Sequence, residues 1–305
     1  MIRYAKNEEK PILKAFWQDA FAFDDGGYTD YYFKDAYELG KHYVYEVDGE
    51  IISMLHTHRS SYMFNHRILA TSMILGVATR PNHQRQGYMG ALMKEVLNQL
   101  EHQELLTLIQ AYHPEIYKPF GFEVVYHRNT YHFNHDNYKN QCSELIAKDY
   151  VVEDLLSAYG RFIKHFTGYK MRTRADFELY LKEVAATEMF VQAFYDPNHQ
   201  QVRGYIIFSI EDETIKIDEC VYLDLKTLDA MIGFASELGE QVELSVSEYE
   251  NLKLIYPNVP FETSDYTMVR INDYDLWNQL FGSDVKTAKE ALTLTNEPLF
   301  MHESL

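Results

Sequence analysis

The 305-residue chain has two cysteines, Cys142 and Cys220, which cannot form a disulfide framework or a thiolate metal cluster. Cys220 falls in an apolar, strand-like run and reads as core. No stretch approaches the roughly 18 consecutive apolar residues of a membrane-spanning helix. The opening residues, Met1-Ile2-Arg3-Tyr4-Ala5-Lys6, lack the apolar run of a leader segment. A cytoplasmic protein with no membrane partner is the expectation. Positive charge is scarce: 28 Lys and Arg stand against 46 Asp and Glu, a net charge of −18, which argues against nucleic acid or an anionic bilayer. The 13 histidines lack metal-ligand spacing, and His56-x-His58 puts two on one strand face without a third ligand, so no metal is expected. There is no Gly-Lys-Ser/Thr phosphate loop and no tight G-x-G-x-x-G after a strand.

What the chain does have is enough length for two domains and an apolar content of 46%, which is that of a globular protein. The 25 tyrosines supply hydroxyl groups as well as packing surface. The acidic balance suits a cationic ligand; it also serves solubility alone.

The most informative segment runs from Leu75 to Met93. It reads as an apolar strand, a turn at Pro81, a polar loop, and then Gly87 and Gly90 opening an amphipathic helix to about residue 103. A glycine-led helix start presents unobstructed backbone N–H groups at the positive end of the helix dipole, which suits a phosphate. The dipole contributes only ~0.3–1 kcal/mol at an exposed site, so the oriented N–H groups must carry much of the grip. Arg85 can add a charge-assisted bond, with Arg80 nearby. A plain strand–turn–helix junction has the same outline.

The loop resembles that of the GNAT acyltransferases, Gln/Arg-x-x-Gly-x-Gly/Ala, through Gln84-Arg85-Gln86-Gly87-Tyr88-Met89. Met89 stands at the usual second small position, and Gly90 follows it. That departure is similar to the Eis-type branch (enhanced intracellular survival proteins), with which Val77, Thr79, Pro81, His83, Arg85, Gly87 and Met89 fall in register. A second element, Ile116-Tyr117-Lys118-Pro119-Phe120-Gly121-Phe122, resembles the Ile-Tyr-x-x-Phe-Gly-Phe/Tyr motif of the same branch, about thirty residues on. The resemblance covers residues 1–135 well and 150–270 loosely.

The resemblance implies an α+β fold of tandem GNAT domains, each a mixed, mostly antiparallel sheet flanked by helices. It implies a catalytic domain at 1–135, a degenerate domain without an Arg-x-Gly loop or second cofactor site at 136–270, and a helical tail at 271–305. Hairpin signals at Asp48-Gly49 and at 196–199, strands at 43–47, 51–57, 67–77, 105–111 and 123–133, and a helix at 89–103 agree with the first domain's pattern. Residues 268–273 resemble the opening of the family's third, sterol-carrier-like domain, of which little length remains.

The resemblance further implies acetyl-CoA as cosubstrate, held by Val77, Ala78, Thr79, Arg85, Gln86, Gly87, Tyr88, Met89 and Gly90, with Tyr112 and His113 after the next strand. The acceptor is a cationic amine: a polyamine, an aminoglycoside or a lysine-like peptide. Tyr117 is the acid that protonates the departing thiolate, and the terminal carboxylate of Leu305 is the base. Glu115, Glu123, His113 or a water relay are substitutes for that base. Aromatic residues from Phe16 to Phe33 are mostly core, and Asp24-Asp25 beside them offers charge for a cation. A homo-oligomer is possible, and a catalytically silent acyl-CoA-binding scaffold or regulator is the competing reading.

Overall fold

The computed structural model describes residues 1–22, 27–139, 144–198, 200–295 and 297–302. Asp24, Asp25, Cys142 and Leu305 lie outside the described residues. The strands are β1 (Ile2–Tyr4), β2 (Gly40–Val47), β3 (Glu50–Phe64), β4 (Arg67–Thr79), β5 (Leu106–Ile109), β6 (Glu123–Asn134), β7 (Ile146–Lys148), β8 (Tyr169–Lys170), β9 (Phe190–Tyr195), β10 (Val202–Glu211), β11 (Thr214–Tyr222), β12 (Gln241–Ser247) and β13 (Phe261–Ile271). The helices are α1 (Lys10–Ala20), α2 (Tyr28–Tyr31), α3 (Tyr88–Glu101), α4 (Val152–Phe162), α5 (Arg174–Ala186), α6 (Leu225–Leu238), α7 (Tyr274–Phe281) and α8 (Ala288–Thr293). Among the described residues no helix is long and apolar enough to cross a membrane.

The chain divides into two compact units, 1–125 with 267–295 and 126–266 with 296–305. This differs from the expected run of two consecutive domains and a separate helical tail. The reason is strand pairing. Met268–Ile271, which resemble the opening of a third domain in sequence, pair antiparallel with Leu106–Ile109 of β5, which draws residues 267–295 into the first unit.

In the first unit the sheet order is β1-β2-β3-β4-β5-β13, antiparallel except for the β4–β5 pair. Asp48-Gly49 makes the predicted hairpin, with Asp48 at φ 50° and Gly49 at φ 84°, the left-handed pair that such a turn requires. Helix α3 buries Leu92, Met93, Val96, Leu97 and Leu100, a stripe at helical spacing, against Leu55 and Ile74 of the sheet. On α1 the buried residues are Leu13, Phe16 and Trp17.

In the second unit the order is β6-β12-β11-β10-β9-β7, again antiparallel except for one parallel pair, β11–β12. Helix α6 packs Leu228, Met231, Ile232 and Ala235 on Ile215, Ile217 and Leu244. The centre of this unit holds an ion pair: Arg172 and Glu219, each with a side chain only 3% exposed, meet at 2.6 Å. Tyr205 donates to Glu219, and the Arg172 guanidinium lies over the rings of Tyr159, Phe177 and Tyr180.

Candidate active site

Strand β4 is regular through Ile74 and then changes. Its antiparallel register with β3 passes from His56↔Leu75 to Met54↔Ala78, so Gly76 and Val77 face the single residue Leu55. That is a β-bulge. Its parallel ladder with β5 ends at Ile74↔Ile109. Past the bulge, β4 is paired with β3 alone, and a cleft opens on its other side.

Gly76 takes φ 59°, and a Cβ placed there would lie 2.1 Å from the ring of Trp17. Left-handed backbone and an indole pressed on the strand both demand glycine. Gly76→Ala is expected to cost about 3 kcal/mol, adding ~1–2 for conformation and ~1–3 for overpacking. Equilibrium urea unfolding measures it; a loss under 1 kcal/mol would show that Trp17 moves aside freely.

The backbone after the bulge is aimed by alternation. The N–H of Arg80 donates to Ile52 O at 2.9 Å, on the β3 side. Successive strand residues alternate, so Thr79 and Val77 direct their main-chain groups the other way, into the cleft. Consistently, Thr79 O accepts from Gln84 Nε2 at 3.2 Å rather than from β3. Ser53 Oγ, between Ala78 O at 2.9 Å and Thr79 Oγ1 at 3.0 Å, fixes this edge.

The loop then makes a one-turn helix at Pro81–His83, and Arg85 and Gly87 take φ 61° and 87°. Gln86 Nε2 braces it on Asn82 O at 3.0 Å. Gly87 caps α3 without any side-chain hydrogen bond. The first helical N–H groups, those of Tyr88, Met89 and Gly90, have no acceptor within the helix, since its first bond runs from Ala91 N to Gly87 O. Arg85, Gln86 and Gly87 are exposed at this end. Arg80 is partly engaged by the fold: its Nε donates to Ile51 O at 2.8 Å and lies 3.2 Å from Glu50, and its guanidinium lies over the Phe16 ring.

Tyr117 sits between two short helical turns, and its N–H donates to Pro114 O at 3.0 Å. Its half-buried side chain packs on the cluster that Val77, Met89 and Ala111 also join. Phe120, three residues on, reaches α3: its ring lies 3.7 Å from where a Gly90 Cβ would be. The strand end, the loop helix and the tyrosine turn therefore meet around one apolar cluster. Burial pushes the Tyr117 phenol up to about 12, so it is protonated at neutral pH and is a weaker acid than a free tyrosine. Tyr88 packs edge-on against Tyr45, 4.9 Å away. Tyr112, 66% exposed, and His113, also exposed, follow β5.

The candidate bases fare differently. Glu115 is exposed and paired with Lys118 at 2.6 Å, and Glu123 accepts from the Lys289 N–H at 2.8 Å, so each is engaged elsewhere. Two histidines on β3 belong to packing. The ring of His42 donates from Nε2 to Tyr37 O at 2.8 Å, so its Nδ1 accepts from His56 Nδ1 at 2.7 Å. That chain requires the His42 ring neutral; burial lowers His42 to about 4 and holds His56 well below its ordinary value. His58 bonds Tyr32 OH at 3.1 Å within the aromatic cluster of Trp17, Tyr32, Phe33 and Tyr37. The sequence pattern did not show the bulge or this histidine pair, although a lone glycine inside an apolar strand is a bulge signal.

A mixed sheet split at a bulged strand, with a glycine-led helix at its mouth, is the architecture of an acyltransferase. Residues 1–125 match an acetyltransferase (GNAT) domain family, and residues 168–271 match a second acetyltransferase (GNAT) domain family. The chain belongs to the GNAT acetyltransferases and carries two such domains in tandem.

Among solved structures, a probable N-acyltransferase from Enterococcus faecalis is similar, with a TM-score of 0.77 and 19% identity over 89% of this chain and 72% of that one. A GCN5-related N-acetyltransferase from Anabaena variabilis gives 0.74 and 17%, over 90% and 73%. Eis1 from Mycobacterium abscessus gives 0.71 and 19%, over 92% and 75%. At these identities the likeness is one of fold. No curated protein matches the chain.

Proposed function

We propose that the first unit transfers an acetyl group directly from acetyl-CoA to the amine of a cationic small molecule or peptide, such as a polyamine, an aminoglycoside or a lysine side chain. The observation that carries this reading is the convergence of the cleft edge at Val77–Thr79, the uncapped start of α3 and Tyr117 on one cluster. In this reading the N–H groups of Gly87, Tyr88, Met89 and Gly90, with Arg85 and Gln86, hold the pyrophosphate. Val77, Ala78 and Thr79 offer main-chain groups to the pantetheine arm and the thioester carbonyl, and Tyr112 and His113 flank it.

The amine nitrogen forms the new C–N bond as the C–S bond breaks. An alkylammonium at pH 7 is ~3.4 pH units below its pKa, so freeing its lone pair costs about 4–5 kcal/mol. Tyr117 gives its hydroxyl proton to the sulfur. With the phenol at about 12 and a thiol near 8.5, full transfer is roughly 5 kcal/mol uphill. The proton must therefore move as the C–S bond breaks, with position rather than acidity doing most of the work.

The nitrogen sheds its proton to solvent as the amide forms and Tyr117 recovers its own, so the exchange of the C–S for the C–N bond balances. Thiol release with spermidine, kanamycin and a lysine peptide tests the overall reading. Saturable acetyl-CoA binding without turnover on any of them would favour the silent binding protein.

A further inference from the structure

The second unit repeats the cleft of the first. Ile207 pairs with Glu219 and Phe208 with Ile217, which leaves Asp218 as the extra residue of a bulge in β11. The parallel ladder of β11 with β12 ends just before it, at Ile217↔Leu244. The phosphate end, however, is closed. Residues 80–87 separate strand from helix in the first unit, but only Leu223 and Asp224 do so here. The Asp224 carboxylate accepts from Thr227 N at 2.9 Å and Thr227 Oγ1 at 2.7 Å and pairs with Arg203. A carboxylate at the helix start satisfies the amides that an anion would use and repels the anion itself.

The rest of this cleft is filled by the chain. Leu299, Phe300, Met301 and His302, four consecutive residues near the chain end and outside any helix or named strand, are 1%, 3%, 1% and 6% exposed. Thr167 N donates to Pro298 O at 2.9 Å, and Phe300 N donates to Thr167 O at 2.8 Å. Ser247, the last residue of β12, donates from Oγ to Leu299 O at 3.2 Å. His302 Nε2 donates to Asp218 O, the bulge carbonyl of β11, at 2.5 Å. The segment thus bonds to both of the strands that splay apart. The Phe300 ring seats between Phe162 at 5.5 Å and Phe166 at 5.2 Å, and Leu299 lies 2.9 Å from where a Gly168 Cβ would be.

We infer that the second unit's cleft is a peptide-binding groove whose ligand is the chain's own segment 297–302, seated in the position that corresponds to the acyl-carrier arm. Main-chain bonds supply the grip, and the side chains of Leu299, Phe300 and His302 supply selection, as when an extended peptide joins a sheet. The groove is separable from its ligand.

The test cuts the covalent link after folding. A protease site is inserted between Thr295 and Asn296 of the full chain, and the folded protein is cleaved. The released segment is expected to co-elute with the body in gel filtration at micromolar concentration and to be displaced by excess synthetic peptide 296–305. The same peptide carrying Phe300→Ala and His302→Ala should compete at least about 100-fold less well. Elution of the segment free of the body, or equal competition by the substituted peptide, overturns the inference. A second variant needs no cleavage. In full-length Phe300→Ala/His302→Ala, hydrogen exchange at Asp218–Tyr222 should quicken about tenfold or more while β3 and β4 keep their protection; unchanged exchange at Asp218–Tyr222 overturns the inference as well.

Discussion

Replacing Tyr117 by phenylalanine is expected to lower kcat by about 10²–10⁴-fold, the usual contribution of a positioned acid. The affinity for acetyl-CoA should stay within about twofold, because the ring keeps its packing beside Phe122, 6.4 Å away, and on the cluster shared with Val77 and Met89. Only the hydroxyl is lost. The defect should shrink with an acyl donor whose thiol is more acidic, since such a sulfur leaves without a proton. A variant that keeps kcat within threefold of the parent would make Tyr117 a packing residue. A uniform loss with every donor would point to distortion instead of a missing acid.

The second large effect concerns stability. Glu219→Gln changes almost no volume but leaves the buried Arg172 cation without its counter-charge. Breaking such a pair from one side typically costs 3–5 kcal/mol, because the remaining charge stays desolvated. For a unit of this size that is a fall in Tm of roughly 10 °C or more. The pH dependence has a definite sign. Burial pushes the Glu219 carboxyl up, but the charge of Arg172 and the hydrogen bonds from Arg172 and Tyr205 outweigh it and leave it below its ordinary value of 4.5. A depressed carboxylate binds its proton more readily in the unfolded chain. Its stabilisation is therefore complete above about pH 4.5 and is lost as pH falls through the folded value. The parent should lose stability on acidification below pH 4.5, and Glu219→Gln should lack that component. Parallel acid-unfolding curves for the two proteins would contradict the assignment.

Much of the first unit was legible because its signals are local. Asp48-Gly49 fixes a hairpin through backbone conformation alone, the apolar stripe of α3 declares a helix, and Gly87 with Tyr117 marks the loop and the turn at recognisable spacing. The features that escaped are set by distant partners. Met268–Ile271 resemble a domain opening when taken alone, but their place beside β5 is decided by an edge some 160 residues earlier. The engagement of Arg80 Nε with Ile51 O and Glu50 likewise depends on the β3 edge, which a reading of the loop alone does not contain. His56 and His58 share a strand face as expected, but only the ring of His42 and the hydroxyl of Tyr32 show that they serve packing. Burial of Leu299–His302 had no periodic signature, because the cleft they enter is built by β11 and β12, far away in sequence.

Acetyl-CoA is proposed to bind at the uncapped start of α3 and at no second site. Calorimetric titration of the full-length protein with acetyl-CoA tests it most directly, alongside Gly87→Val, whose side chain is incompatible with φ 87°. The expected result is one saturable site per chain, weakened about tenfold or more by the substitution. No heat of binding at millimolar ligand, two sites per chain, or a single site indifferent to Gly87 would contradict it.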